Sequence, residues 1–184
     1  MTYVVVVTGP PASGKTTLGR RMAADLSVPF LAKDAIKESL YDSLGWTDKA
    51  GSRKLGVASF GVLYVVLSEL LAVGVSAVIE APFDPEMAAK ELETLRGRYP
   101  FELVQVLCWA EGQTLIERYR SRNGSGDRHP GHIQTDLLAD VEEYLAVGKR
   151  DPVAIEGAIL EVDTTGPVDY EVVLEDVTRA IGPG

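Results

Sequence analysis

Tyr3-Val-Val-Val-Val-Thr8-Gly9-Pro10-Pro11-Ala12-Ser13-Gly14-Lys15-Thr16-Thr17 is the stretch that decides the fold. Its first six residues are a continuous, mostly β-branched run, which suits a strand buried on both faces. Residues 9–16 then match the pattern G-x-x-x-x-G-K-[ST], and residues 14–26 read as a helix. In a chain of this length such a match arises by chance about once in a hundred, and the strand and helix around it lower that further. Gly9 and Gly14 let the backbone turn and approach a polyphosphate, whose charge is met by loop N–H groups and a helix N-terminus. Lys15 would reach the β- and γ-phosphates and Thr16 would offer its hydroxyl to Mg²⁺. Pro10, Pro11, Ala12, Ser13 and Thr17 complete the nucleotide-contacting stretch. The implication is nucleoside triphosphate binding; the bland alternative is a glycine-rich turn without a ligand.

Outward from this stretch, short apolar runs alternate with longer helical ones. Strands are expected over 28–32, 76–80, 101–109 and 159–162, and helices over 34–44, 53–73, 85–96, 112–122, 133–147 and 170–181. Strand and helix alternating through one chain imply a parallel sheet covered on both faces. Asp34 would cap its helix. Residues 55–68 carry no charge. They fall short of the roughly 18 apolar residues of a membrane span, so a buried core helix is expected there. No repeat or linker divides the 184 residues, so one domain over 1–184 is expected.

Net charge is −9, a balance that argues against broad binding to a nucleic-acid backbone. Cys108 is the one cysteine, which excludes an intrachain disulfide. Together with an N-terminus that lacks a signal-peptide pattern, it points to a cytoplasmic protein with no membrane partner.

With Leu31-Ala-Lys-Asp34-Ala-Ile-Lys37-Glu38 following the phosphate loop, the chain resembles the small P-loop kinases. This AAA-type ATP-binding branch holds shikimate and gluconate kinases, chloramphenicol phosphotransferase, polynucleotide 5′-kinases and zeta-toxin-like proteins. The resemblance implies an α/β, three-layer P-loop NTPase fold, with a five-stranded parallel sheet between helices and an Arg-rich lid over about 121–132. It implies ATP and Mg²⁺, and transfer of the γ-phosphate to a hydroxyl of a small-molecule acceptor. A polynucleotide 5′-hydroxyl kinase, or a non-catalytic ATP-binding switch, stays open as the alternative. Monomer and homodimer are both compatible.

The same resemblance makes Asp34 the catalytic base; it would also read as a plain helix cap, and both roles can hold at once. Lys37 stands one turn on, where polynucleotide kinases tend to carry an arginine that grips a substrate phosphate. Lysine lacks that bidentate fork, which weakens the nucleic-acid reading. Glu80 ends an apolar strand as a Walker B acid does and would hold a Mg²⁺-bound water or contact the acceptor. Asp84 would line the same cleft or serve a turn. Trp46 and Arg53 are specificity candidates on the acceptor side, or packing residues.

Arg118, Arg120, Arg122 and Arg128 fall within residues 118–128, and residues 122–132 are glycine-rich, an expected mobile cationic loop. Arg128 would meet the phosphates during catalysis, and Arg122 would stack on adenine or bind phosphate. Arg118 and Arg120 are partly helix-surface candidates. His129 and His132 read as lid residues that fix its shape or touch substrate. Asp163 and Thr164, after the last strand, would contact adenine through backbone atoms, or form only a turn.

Overall fold

Val4, Val5, Val6 and Val7 have no exposed surface, and the reason is layering on both sides of their strand. Side chains of a strand alternate between its faces. Val4 and Val6 enter one apolar cluster with Leu63, Leu67, Leu92 and Leu95. Val5 and Val7 enter another with Leu18, Met22, Val106 and Val177. A strand needs an uninterrupted apolar run only when it is covered this way.

The computed structural model describes residues 1–46, 48–126, 128–135 and 138–182. In chain order the elements are β1 (Tyr3–Thr8), α1 (Lys15–Asp25), β2 (Phe30–Ala32), α2 (Lys33–Leu44), α3 (Lys49–Ala72) and β3 (Ala77–Glu80). Then follow α4 (Pro85–Arg98), β4 (Glu102–Trp109), α5 (Gly112–Gly124), α6 (Pro130–Thr135), α7 (Leu138–Ala146), β5 (Ala158–Asp163) and α8 (Tyr170–Ile181). The five strands form one parallel sheet in the order β2-β3-β1-β4-β5. This is the three-layer α/β architecture expected from the alternation. Register places Glu80 beside Val7 on one side and beside Ala32 on the other. The carboxyl ends of β1, β2 and β3 therefore open onto one edge, where ligands of open α/β sheets bind.

Several elements depart from the sequence reading. α2 begins at Lys33 with Ala32 as its N-cap, so Asp34 lies in the first turn and does not cap the helix. α3 begins at Lys49 because Asp48 caps it, its Oδ1 accepting from Gly51 N–H at 2.6 Å. α3 is also not the buried helix expected. Val57 is 68% and Val65 64% exposed, while Leu63, Leu67 and Leu71 pack inward. Apolar composition says that a helix can be buried, not on how many sides. A helix over 133–147 is replaced by α6 and α7, and residues 136 and 137 between them lie outside the described residues. α6 starts at Pro130, whose fixed φ suits a first helical position.

Gln105 is a polar residue at the core of β4, fully buried. Its Nε2 donates to the carbonyls of Val153 and Ile155 at 3.0 and 3.3 Å, and its Oε1 accepts from Val153 N–H at 2.8 Å. The side chain thus pairs the 153–155 segment to β4 and satisfies the Val153 N–H and the Ile155 carbonyl. Gln105→Leu would leave the buried Val153 N–H unsatisfied, a cost of about 2 kcal/mol. Urea unfolding should show that loss; a change below about 0.5 kcal/mol would remove this role.

Candidate functional site

The site begins at the turn between β1 and α1. Gly9 has φ 145°, and a Cβ there would stand 2.1 Å from the Cys108 carbonyl oxygen, so any side chain is excluded. Gly14 and Ala12 are both left-handed, at φ 75° and 65°. This turn brings Ser13 N–H to the Pro10 carbonyl at 3.3 Å and leaves α1 without a side-chain cap. The first N–H groups of α1 and the positive end of its dipole are therefore open to an anion. Ser13 Oγ is buried and has no hydrogen-bond partner among the described residues. An orphaned buried hydroxyl at this point fits a loop shaped around a ligand.

Lys15 is buried and folds back over the loop, its Nζ donating to the Pro10 carbonyl at 3.2 Å. The same Nζ stands 3.7 Å from Glu80 Oε1. Thr16 Oγ1 donates to Glu80 Oε2 at 3.0 Å. Glu80 is 2% exposed, and burial raises its pKa, helped by Asp34 and opposed by Lys15 and the Thr16 hydrogen bond. A hydroxyl, an ammonium and a carboxylate thus meet at the N-terminus of α1. Among the described residues no three His, Cys, Asp or Glu side chains gather as a metal cage. Mg²⁺ keeps several waters and needs only one or two protein oxygens. Thr16 and Glu80 fit that demand.

Asp34 emerges from β2 toward the same edge. Burial works against its charge, but Lys33, whose Nζ lies 2.9 Å away, holds the carboxyl well below the usual range with help from His132 and Lys15. Lys33 is itself buried and was not singled out in the sequence. Its place beside Asp34 was the available signal.

Around Asp34, α2 meets α3 and α6. Lys37 Nζ donates to Ser52 Oγ at 3.1 Å and lies over the Tyr41 ring, so it faces α3. Tyr41 is buried and shares a 2.6 Å hydrogen bond with Ser52. Its ring contacts Trp46, His129 and His132 at centroid distances of 5.3, 5.1 and 5.3 Å. Gly131 packs on that ring, where a Cβ would come within 2.7 Å. His129 Nδ1 accepts from Gly131 N–H, which leaves Nε2 to donate to Asp42 at 3.1 Å. His132 is buried with Nε2 3.3 Å from Glu38 Oε1. Burial, opposed by Asp34, pushes His132 down to about 4. The two histidines thus join the 129–132 segment to α2. Trp46 belongs to this aromatic cluster, whereas Arg53 lines an exposed groove with Lys49, Ala50, Lys54 and Val57.

The expected arginine loop is helical at both ends, in α5 up to Gly124 and in α6 from Pro130. α5 continues to Gly124, so Arg122 lies in its last turn, and Asp127 of the lid stretch lies outside the described residues. Arg128 donates to Asn123 Oδ1 at 2.9 Å and lies 4.8 Å from the centroid of the Tyr119 ring. Arg120 pairs with Glu142 on the surface. Arg118 Nη2 instead donates to the Thr164 carbonyl at 2.7 Å and braces the turn after β5. Thr164 N–H donates to the Trp109 carbonyl, so its backbone N–H and carbonyl are both engaged within the chain. Asp163 Oδ1 accepts from Thr165 N–H at 2.8 Å, as a turn residue does. Asp84 caps α4 by accepting from Met87 N–H, and it also lines a groove of about 370 Å³ with Thr8, Gly9, Tyr144 and Arg150.

The family AAA_33, described as an AAA domain, matches residues 4–145. A candidate kinase from Chloroflexus aurantiacus is 37% identical, with 97% of this chain and 98% of that one covered and a TM-score of 0.92. Kti12 from Chaetomium thermophilum, solved with ADP-AlF3, is 16% identical over 98% of this chain and all of its own, covered to 100%, with a TM-score of 0.69. A sugar kinase from Janibacter sp. HTCC2649 is 18% identical, with 100% and 97% covered and a TM-score of 0.60. The two distant likenesses carry the P-loop nucleotide-binding fold. Among curated proteins none matches the chain. With the family match running from β1 into α7 and taking in the phosphate loop, Asp34 and Glu80, the chain belongs to the AAA_33 family and shares the fold of the small P-loop kinases.

Proposed function

We propose that the protein is a kinase that transfers the γ-phosphoryl group of ATP to a hydroxyl of a small-molecule acceptor. The observation that carries this reading is the meeting of Lys15, Thr16 and Glu80 at the open N-terminus of α1, with Asp34 in the first turn of α2, just past the end of the adjacent strand β2. In the reaction the acceptor oxygen bonds to the γ-phosphorus, the bond from that phosphorus to the bridging oxygen breaks, and ADP leaves. When bound, Mg²⁺ neutralises phosphate charge; Thr16 and Glu80 are the residues that would hold it.

The loop N–H groups and α1 would bind the phosphates, and Lys15 would exchange its Pro10 contact for phosphate oxygen. Asp34, kept as a carboxylate by Lys33, would accept the hydrogen bond of the acceptor hydroxyl and finally its proton. A carboxylate held so far down is a weak base. It suits a loose transition state, in which orienting the nucleophile matters more than early deprotonation. Arg122 and Arg128 would add positive potential over the phosphates. The Tyr41–Trp46–His129 cluster and Lys37 would border the acceptor. Net charge −9 supports a small acceptor over a polynucleotide.

Acceptor-dependent ADP release, screened over pooled hydroxyl-bearing metabolites, tests the reading. At least one pool should raise ADP release well above the basal rate. Release stimulated only by a 5′-hydroxyl oligonucleotide, or by no acceptor, would contradict it. Lys15→Ala should weaken ATP binding in calorimetry and nearly abolish transfer, since a buried phosphate-facing cation is lost; unchanged ATP affinity would exclude Lys15 from the site. Asp34→Asn should keep ATP affinity within about twofold and lower turnover about 10²-fold, the low end for a positioned base. Turnover within a few-fold of wild type would take that role from Asp34.

A further inference from the structure

α3 is the longest helix among the described residues, and it packs with one face only. Ser59, Leu63, Leu67 and Leu71 are buried at four-residue steps, while Val57, Ala58, Gly61, Val62, Val65 and Val66 on the other side are exposed. An exposed helix face ordinarily carries charges. Here none occurs between Lys54 and Glu69. Gly61 adds an independent sign. A side chain there would meet nothing within 4 Å, so packing inside this chain does not call for glycine at that position. Glycine is disfavoured in mid-helix, but it lets a second helix approach closely.

The stripe is also self-complementary. The point midway between Gly61 and Val62 is midway between Ala58 and Val65, between Val57 and Val66, and between Lys54 and Glu69. Two copies of α3 lying antiparallel about that point would set Ala58 against the partner's Val65 and Val57 against the partner's Val66. Lys54 would then meet the partner's Glu69, closing the apolar seam with opposite charges at both ends. Neither Lys54 nor Glu69 makes an ion pair among the described residues. A groove of about 560 Å³ between α3 and α4, lined by Val57, Phe60, Tyr64, Val65 and Met87, adjoins the stripe. Met87 is 72% exposed, which widens the apolar area toward the roughly 800 Å² per partner of a standard interface.

We propose that the protein forms a two-fold homodimer through antiparallel contact of α3 with α3, centred between Gly61 and Val62 and closed by Lys54–Glu69 pairs. The interface is isologous, with the same patch used by both subunits. It stands on α3 and the adjoining face of α4 and does not depend on the proposed reaction.

Sedimentation velocity on the full chain, from low to several hundred micromolar, tests the proposal. Wild type should pass from monomer to dimer across the series. Val62→Asp puts a charge at the centre of the seam and should stay monomeric throughout, with an unchanged circular dichroism spectrum. Glu69→Lys and Lys54→Glu should each weaken association about tenfold at low salt, since each replaces two symmetry-related attractions with repulsions. The double variant, Lys54→Glu with Glu69→Lys, should return to within about threefold of wild type. A monomeric wild type, a dimer indifferent to Val62→Asp, or a double variant as weak as the singles would overturn the proposal. So would a monomer that floats with phosphatidylcholine vesicles, because the stripe would then be a lipid-facing surface.

Discussion

Glu80 is a carboxylate with almost no exposure, set between two parallel strand partners at the end of β3. Removing a charge from water is costly unless it is paired and hydrogen-bonded. The groups that offset this cost are Lys15 and Thr16, consecutive residues of the phosphate loop. The loop is thereby tied to the sheet interior by the side chains that a nucleotide would engage. Layering on both faces keeps β1 and β3 in register, and that register puts Glu80 beside Val7, at the end of the strand that leads into the loop.

Asp34 and Glu80 share one sheet edge and are pushed in opposite directions. Burial dominates at Glu80 and raises its pKa; at Asp34 burial acts the same way, but Lys33, His132 and Lys15 together outweigh it and lower the pKa. Two carboxylates separated in this way can take different roles. Lys33 favours the charge on Asp34, while burial disfavours the charge on Glu80 against the pull of Lys15 and Thr16. His132 lies close enough to Asp34 for the carboxylate to favour its charge, but burial outweighs that pull.

Local features were the legible ones. The run Tyr3–Thr8, the glycines at 9 and 14, and Lys15 with Thr16 carry their geometry in adjacent residues, and the sheet follows from how such runs alternate. Asp34 was placed on its helix but misread as its cap, because the helix starts one residue earlier, at Lys33. Residues 55–68 are not buried throughout because lack of charge fixes no direction, and α3 turns Val57, Val62, Val65 and Val66 outward. The cluster of Tyr41, Trp46, His129 and His132 joins segments far apart in the chain, so no spacing rule reveals it. Arg118 looked like its neighbours in the sequence; only the packing of α5 against the turn after β5 separates it from them.

The central claim is that Thr16, Lys15 and Glu80 form a metal-assisted nucleotide site. Titration calorimetry of the wild-type chain with ATP, run once with Mg²⁺ and once with the metal removed by EDTA, tests it most directly. One saturable site is expected, with an affinity at least about tenfold weaker without Mg²⁺. Absence of ATP binding, or an affinity indifferent to Mg²⁺, would contradict it.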